Sequence, residues 1–265
     1  MIEITNIALL VALIGGFVDL DSTATWQFMI SQPIVAAPLT GVFLGFALGE
    51  ILPGLRVGLM IGTILQLVWI EQLPMGMNVP PDAALASVLS VALGFSAGHM
   101  SDSYVIREVC NTVALLIAVA LGLVGRSIDI WIRKLNTSIE KWVTRKIEGD
   151  QVFALAVGHV AGGTLTFSKA FVFCFVVTFF GVEPLRAFIQ SLNFDQSTGF
   201  IVIQGLLPVI GFSVLASKCL QTKLELKFFI GGIVFFTILP ALSWAAILLA
   251  GIIGWKLSGK AHAGS

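Results

Sequence analysis

Four stretches of this chain, about residues 108–132, 152–181, 199–218 and 228–255, are continuous apolar runs. Each has the length of a bilayer-crossing helix, which needs roughly 20 predominantly apolar residues. The composition agrees: 57% of the 265 residues are hydrophobic, 11% are charged, and the mean hydropathy is +0.98. A soluble domain carries about 25% charged residues, and this chain in water would expose more apolar surface than it could cover. The reading is an all-α, polytopic membrane protein.

The first hundred residues are less regular. Their apolar runs, about 4–18, 33–49, 55–70 and 83–98, are short and separated by Gly or Pro. Short, broken or re-entrant helices are therefore expected in the N-terminal third. Such backbone is tolerated at membrane depth only where protein or a polar cavity surrounds it, and in transporters it points to the substrate site. Ile4 to Val18 lacks a basic leading region and a small-residue cleavage site, so it reads as a retained helix rather than a signal. Residues 1–257 are expected to form a single transmembrane domain and 258–265 a polar, disordered tail.

Glycine spacing predicts one tight contact. Gly41, Gly45 and Gly49 recur every four residues, as do Gly54, Gly58 and Gly62, and each set opens a groove along one helix face. Leu52-Pro53-Gly54 is expected to break the chain between them, giving a helical hairpin. The most hydrophilic stretch, Arg126 to Asp150, is basic and amphipathic. It is expected to lie along or project from the cytoplasmic surface. Lys218, Lys223 and Lys227 mark a second basic loop on the same side, which leaves Lys256 and Lys260 outside, against the positive-inside rule. Glu183-Pro184 and Asn193 to Ser197 read as loops.

Several function classes are disfavoured. The formal net charge is zero, so no electrostatic case for nucleic acid exists. Cys110, Cys174 and Cys219 form no CxxC pair and read as small buried side chains. No HExxH, Cys/His cluster or P-loop is visible, so no metal or cofactor is implied.

Polar groups inside apolar segments are functional candidates because hydrocarbon cannot satisfy them. The first cluster runs from Asp19 to Gln27. Asp21 or Ser22 can cap a helix, Gln27 offers donors and an acceptor to sugar hydroxyls, and Trp26 offers an apolar plate. In the second, Gln66 and Trp69 are three apart on one helix face, followed by Glu71 and Gln72 at the membrane edge. The third runs from Pro74 to Ser87. Pro80 and Pro81 force extended backbone, and Asp82 can cap a helix, accept sugar hydroxyls, or both. Lys169, inside an apolar run, needs a partner or must snorkel.

At these residues the chain resembles a known family. Leu20-Asp21-Ser22, Trp26-Gln27-Phe28 and Ser31-Gln32-Pro33-Ile34-Val35 are similar to its LD-x-FQF-x-RPL pattern. Gly45 to Glu50 and Gly54 to Gly62 resemble its glycine-rich hairpin. Leu65-Gln66-Leu67-Val68-Trp69 and Val79 to Ser87 match its LQL-x-W and PPDAALAS signatures. The family is the IIC subunit of mannose/fructose/sorbose-type phosphotransferase permeases. Gln32 stands where many members carry Arg, Glu50 where Asp is common, Gln66 where some carry Glu, and Glu71 where Gly is frequent. These differences bear on which sugar is bound.

The resemblance implies a multi-pass subunit of the bacterial inner membrane that pairs with a IID subunit in a higher oligomer. It implies a hexose site, and cytoplasmic IIA and IIB proteins that supply the phosphoryl group, with no phosphorylated residue on IIC. Asp21, Gln27, Gln66, Trp69 and Asp82 are expected to converge on one hexose. Two rivals remain open: an ion-coupled secondary transporter of a small polar solute, and a non-transporting scaffold or sensor whose polar residues are helix glue.

Overall fold

The computed structural model describes residues 2–25, 27–70, 79–99, 101 and 103–238. The expectations for Trp26, for Glu71 to Asn78, for the far part of the 228–255 run and for the 258–265 tail lie outside the described residues, as does the side chain of Cys219. Eight helices and no strand are found among the described residues: α1 (Ile2–Thr23), α2 (Pro33–Leu48), α3 (Ile51–Val68), α4 (Ala83–His99), α5 (Tyr104–Ile147), α6 (Phe153–Gln190), α7 (Phe194–Cys219) and α8 (Lys223–Ile238). Five of them, α1, α3, α5, α6 and α7, are long and apolar enough to cross a membrane, while α2 and α4 are shorter apolar helices. The chain divides after Phe212 into two compact units.

The hairpin of α2 and α3 is built by its glycines. A Cβ at Gly41 would fall on the carbonyl oxygen of Gly54, and one at Gly54 on that of Gly41; a Cβ at Gly58 would lie 2.5 Å from the Ala37 oxygen. Only bare backbone fits there. The break comes at Gly49 and Glu50 rather than at Leu52-Pro53-Gly54. Gly49 ends α2 in the left-handed region, with φ 76°, and Glu50 N–H donates back to the Gly45 carbonyl at 2.7 Å. Pro53 falls in the first turn of α3, where a missing N–H costs nothing.

Helix α4 is the centre of the first unit, with every residue from Ala84 to Gly98 buried. It has no apolar stripe because no face meets lipid. Its ends are held electrostatically. The Asp82 carboxylate accepts the Leu85 N–H at 2.9 Å at the N-terminus. At the other end, Arg107 donates to the carbonyls of His99 and Ser101 at 3.2 and 2.7 Å, and Arg186 to those of Ser96 and Ala97 at 3.4 Å each. Cations belong at the negative end of a helix dipole.

Helix α6 corrects one expectation, and α5 shows how the hydrophilic stretch is built. The stretch from Arg126 is the second half of a 44-residue helix, about 66 Å long at 1.5 Å per residue, against a hydrocarbon core of about 30 Å. Glu183-Pro184 lies inside the 38-residue α6 rather than in a loop. Arg186, paired to Glu183 at 3.0 Å and fixed on the α4 carbonyls, keeps that stretch helical. Asn193 to Ser197 opens α7 through a reciprocal cap: Gln196 N–H donates to Asn193 Oδ1 at 2.9 Å and Asn193 N–H to Gln196 Oε1 at 3.1 Å. Helix α1 packs antiparallel on α6, with Gly15 against Cys174 and Gly16 against Phe167.

In the second unit, α8 starts with a similar box, in which Thr222 N–H donates to Glu225 Oε2 at 2.7 Å and Glu225 N–H to Thr222 Oγ1 at 3.3 Å.

Candidate functional site

Four helices bring charge to one place. Lys169 of α6 has Nζ 2.7 Å from Asp19 Oδ2 of α1, 3.3 Å from Asp82 Oδ2 at the head of α4, and 2.6 Å from Asp129 Oδ1 of α5. The side chains of Lys169, Asp19 and Asp82 are 2, 3 and 4% exposed, and that of Asp129 29%. One ammonium thus serves three carboxylates, a costly arrangement away from water. Arg133, one turn beyond Asp129, lines the same space.

The local backbone explains how α4 can begin here. After the Pro80-Pro81 pair the Asp82 N–H finds its acceptor on another helix, the Gly122 carbonyl at 2.9 Å. A Cβ at Gly125 would come within 2.7 Å of Asp82 Cβ, and one at Gly122 within 3.5 Å of the Trp69 ring. Gly122, Gly125 and Asp129 lie on one face of α5, three and four residues apart. The two glycines admit the head of α4, and the aspartate meets it.

Beside the cluster is a cavity of about 140 Å³, lined by Asp19, Gln32, Gln66, Trp69, Asp82 and Asp129, among others. Three expected residues, Gln66, Trp69 and Asp82, therefore face one space. Gln66 also holds the start of α2: its Oε1 accepts the Ile34 N–H at 3.3 Å, and its Nε2 donates to Gln32 Oε1 at 3.2 Å. Asp82 Oδ1 caps α4 while Oδ2 pairs with Lys169, so one carboxylate has both duties.

Asp21 and Gln27 are placed differently. Asp21 is 4% exposed, and its two oxygens accept the N–H groups of Phe28 and Ser31 at 2.6 and 3.1 Å. It fixes the turn between α1 and α2, and it is not among the residues lining the cavity. Gln27 is exposed in that turn, with φ 55°, and does not line the cavity either.

Asp19 and Asp129 are not among the sugar contacts expected from the sequence, and Lys169 enters there only as a cation in need of a partner. Lys169 carried a signal, a cation in an apolar run that demands a carboxylate. Asp129 had only its register with two glycines, and Asp19 was overshadowed by Asp21 two residues on.

The sequence profile described as the sorbose-specific IIC component of the phosphotransferase system matches residues 5–256. The chain belongs to that family. Among its relatives is the mannose-specific EIIC component of Escherichia coli (strain K12), 21% identical over 86% of this chain and 80% of the relative. The fructose permease IIC component of Bacillus subtilis (strain 168) is 22% identical over 76% of this chain and 68% of its own. The sorbose-specific EIIC component of Klebsiella pneumoniae is 21% identical over 80 and 75%. A solved membrane-protein structure matches with TM-score 0.67 at 20% identity, covering 96% of this chain and 95% of its own. The structure of the mannose transporter ManYZ with microcin E492 matches with TM-score 0.53, also at 20% identity and with the same coverage. The fold is shared with both. This IIC chain is thus a multi-pass sugar-permease component of the phosphotransferase system, a class that acts with other components of that system.

Proposed function

We propose that this IIC subunit binds a hexose at the cavity between α1, α3, α4 and α5 and passes it inward to a IIB partner for phosphorylation. Its partners are a IID membrane subunit and cytoplasmic IIA and IIB proteins, in a higher oligomer of the bacterial inner membrane. It carries no phosphorylated residue of its own and needs no cofactor. The extent of the family match, residues 5–256, supports treating residues 1–257 as one IIC domain.

The observation that carries this reading is the meeting of Gln66, Trp69 and Asp82 at one cavity whose other wall is the carboxylate cluster. In it, carboxylate oxygens accept sugar hydroxyl hydrogens, the Gln66 amide both donates and accepts, and the indole covers an apolar ring face. Asp21 holds the turn ahead of α2, and Gln27 stands apart. The cavity, about 140 Å³, is below the roughly 300 Å³ at which ligand pockets begin. A hexose therefore enters only when the space widens.

The test is sugar-dependent phosphorylation in membranes carrying this subunit, with and without its IID and IIB partners, using mannose, fructose and sorbose. Phosphorylated sugar inside, dependent on all three proteins, is expected. The buried Lys169 cluster favours a second reading, ion-coupled transport. Unmodified sugar accumulating inside along an ion gradient would replace the first reading with that one.

A further inference from the structure

Past the ionic cluster, α5 and α6 continue side by side, and a cleft of about 710 Å³ lies between them. Ser22, Asp129 and Arg133 line both this cleft and the small cavity, so the two spaces meet at those side chains. From there α5 presents Asn136, Glu140 and Thr144 to the cleft, one helical turn apart on one face. Asn136 Oδ1 is buried there with no hydrogen-bond partner among the described residues.

Across the cleft, α6 supplies glycines, and they are not alike. A Cβ at Gly158 would strike a methyl of Val143, so Gly158 serves helix contact. Among the described residues, a Cβ at Gly162 would meet only Asn136 Oδ1, at 3.6 Å, and one at Gly163 would meet nothing within 4 Å. The two helices touch at Gly158 and leave space at Gly162 and Gly163, opposite the polar stripe.

We infer that this cleft is the release path for the sugar, joining the binding cavity to the cytoplasm. The inference rests on the sugar-binding reading above. A sugar leaving the cavity passes Asp129 and Arg133 and exchanges hydrogen bonds with Asn136, Glu140 and Thr144 in turn. These stations are about 6 Å apart, and the path from Asp129 to Thr144 is about 22 Å long, at 1.5 Å per residue. Arg133, Lys134, Lys141, Arg145 and Lys146 mark this limb as cytoplasmic. An acyl chain would leave the Asn136 oxygen without a donor, whereas a hydroxylated solute supplies one.

The open space at Gly163 provides the experiment. Gly163→Ala and Gly163→Trp are made in the full chain, expressed with its partner subunits, and uptake of labelled mannose, fructose and sorbose is measured. Gly163→Ala is expected to match the unmodified chain. Gly163→Trp is expected to lower maximal uptake at least tenfold at unchanged membrane level and melting temperature. In parallel, Asn136→Cys is treated with a charged, membrane-impermeant thiol reagent from the cytoplasmic side. Block of uptake, relieved by the transported sugar, is expected, with no block for Lys141→Cys on the exposed outer face of α5. Wild-type uptake by Gly163→Trp, or modification of Asn136→Cys without block, overturns the path. Loss of a partner subunit from Gly163→Trp with Asn136→Cys unreactive overturns it too, assigning the cleft to protein. If Gly163→Trp fails to accumulate, the Asn136→Cys result decides. If the unmodified chain takes up none of the three sugars, the sugar-binding reading itself fails and the path falls with it.

Discussion

The ammonium of Lys169 and the carboxylate of Asp19 lie 2.7 Å apart, both almost wholly buried, where α1 packs on α6. The same ammonium reaches Asp82 and Asp129, so a single side chain ties four helices together. Lys169→Met would leave three carboxylates facing one another with no ammonium between them and only Arg133 lining the same space. Removing one partner of a buried ion pair costs about 3–5 kcal/mol, and the penalty here falls on a shared site. The expected outcome is a large drop in melting temperature in detergent together with loss of uptake. The double variant Lys169→Met with Asp19→Asn should recover part of the lost stability. A double variant no more stable than Lys169→Met would mean that Asp19 and Lys169 do not form the principal pair.

Asp82 separates two roles within one side chain. Asp82→Asn keeps an oxygen for the Leu85 N–H but loses the charge that faces Lys169 and the cavity. Asp82→Ala loses both, and a missing N-cap alone costs about 1 kcal/mol. Asn is expected to be the more stable of the two in thermal unfolding, while both lose sugar uptake by at least tenfold. Full uptake by Asp82→Asn would remove the charge from the sugar site.

Much of the fold was legible in the sequence. The glycine sets at 41, 45, 49 and 54, 58, 62 announced a backbone-to-backbone hairpin because spacing by four puts them on one face, and α2 and α3 meet there. The position of the break was missed because Pro53 reads as a breaker when its place in a helix is unknown. In the first turn of α3 it breaks nothing. Gln66, Trp69 and Asp82 were legible as a group because each is a polar or amphipathic residue at the end of an apolar segment. The Lys169 cluster was not, since its members are far apart in sequence and only the packing of α1, α4, α5 and α6 unites them. Asp21 was conspicuous for a polar side chain after an apolar helix, and that visibility came from fixing a turn.

Asp21 and Gln27 therefore should behave oppositely. Asp21→Ala strands the Phe28 and Ser31 N–H groups. Each lost bond to a charged acceptor is worth about 1.5–3 kcal/mol. The expected result is a lower melting temperature and reduced uptake through a disordered turn. Gln27→Ala removes an exposed side chain outside the cavity and should change both by little, within about 0.5 kcal/mol for stability. A loss of uptake in Gln27→Ala as large as that in Asp82→Asn would place Gln27 at the sugar after all.

At the opposite end of the hairpin, Glu50 meets Arg107 Nη1 at 3.1 Å and His99 Nδ1 at 3.4 Å, tying the α2–α3 turn to the α4–α5 connection. Burial acts to raise the Glu50 pKa, but the adjacent His99 ring and the hydrogen-bonded Arg107 guanidinium outweigh it and hold the carboxyl below its ordinary value of 4.5. A carboxylate depressed in the folded state stabilises the fold above the unfolded-state pKa, and that stabilisation is lost as pH falls through the folded value. The contribution is therefore intact at neutral pH and disappears below about pH 4.5. With side chains 26 and 31% exposed, the pair is worth about 1 kcal/mol at most. Glu50→Gln is expected to lower the melting temperature slightly at pH 7 and to flatten its fall between pH 5 and pH 3, without abolishing uptake. An unfolding profile in which Glu50→Gln and the unmodified chain decline in parallel through that range would show that this carboxylate does not tether the hairpin.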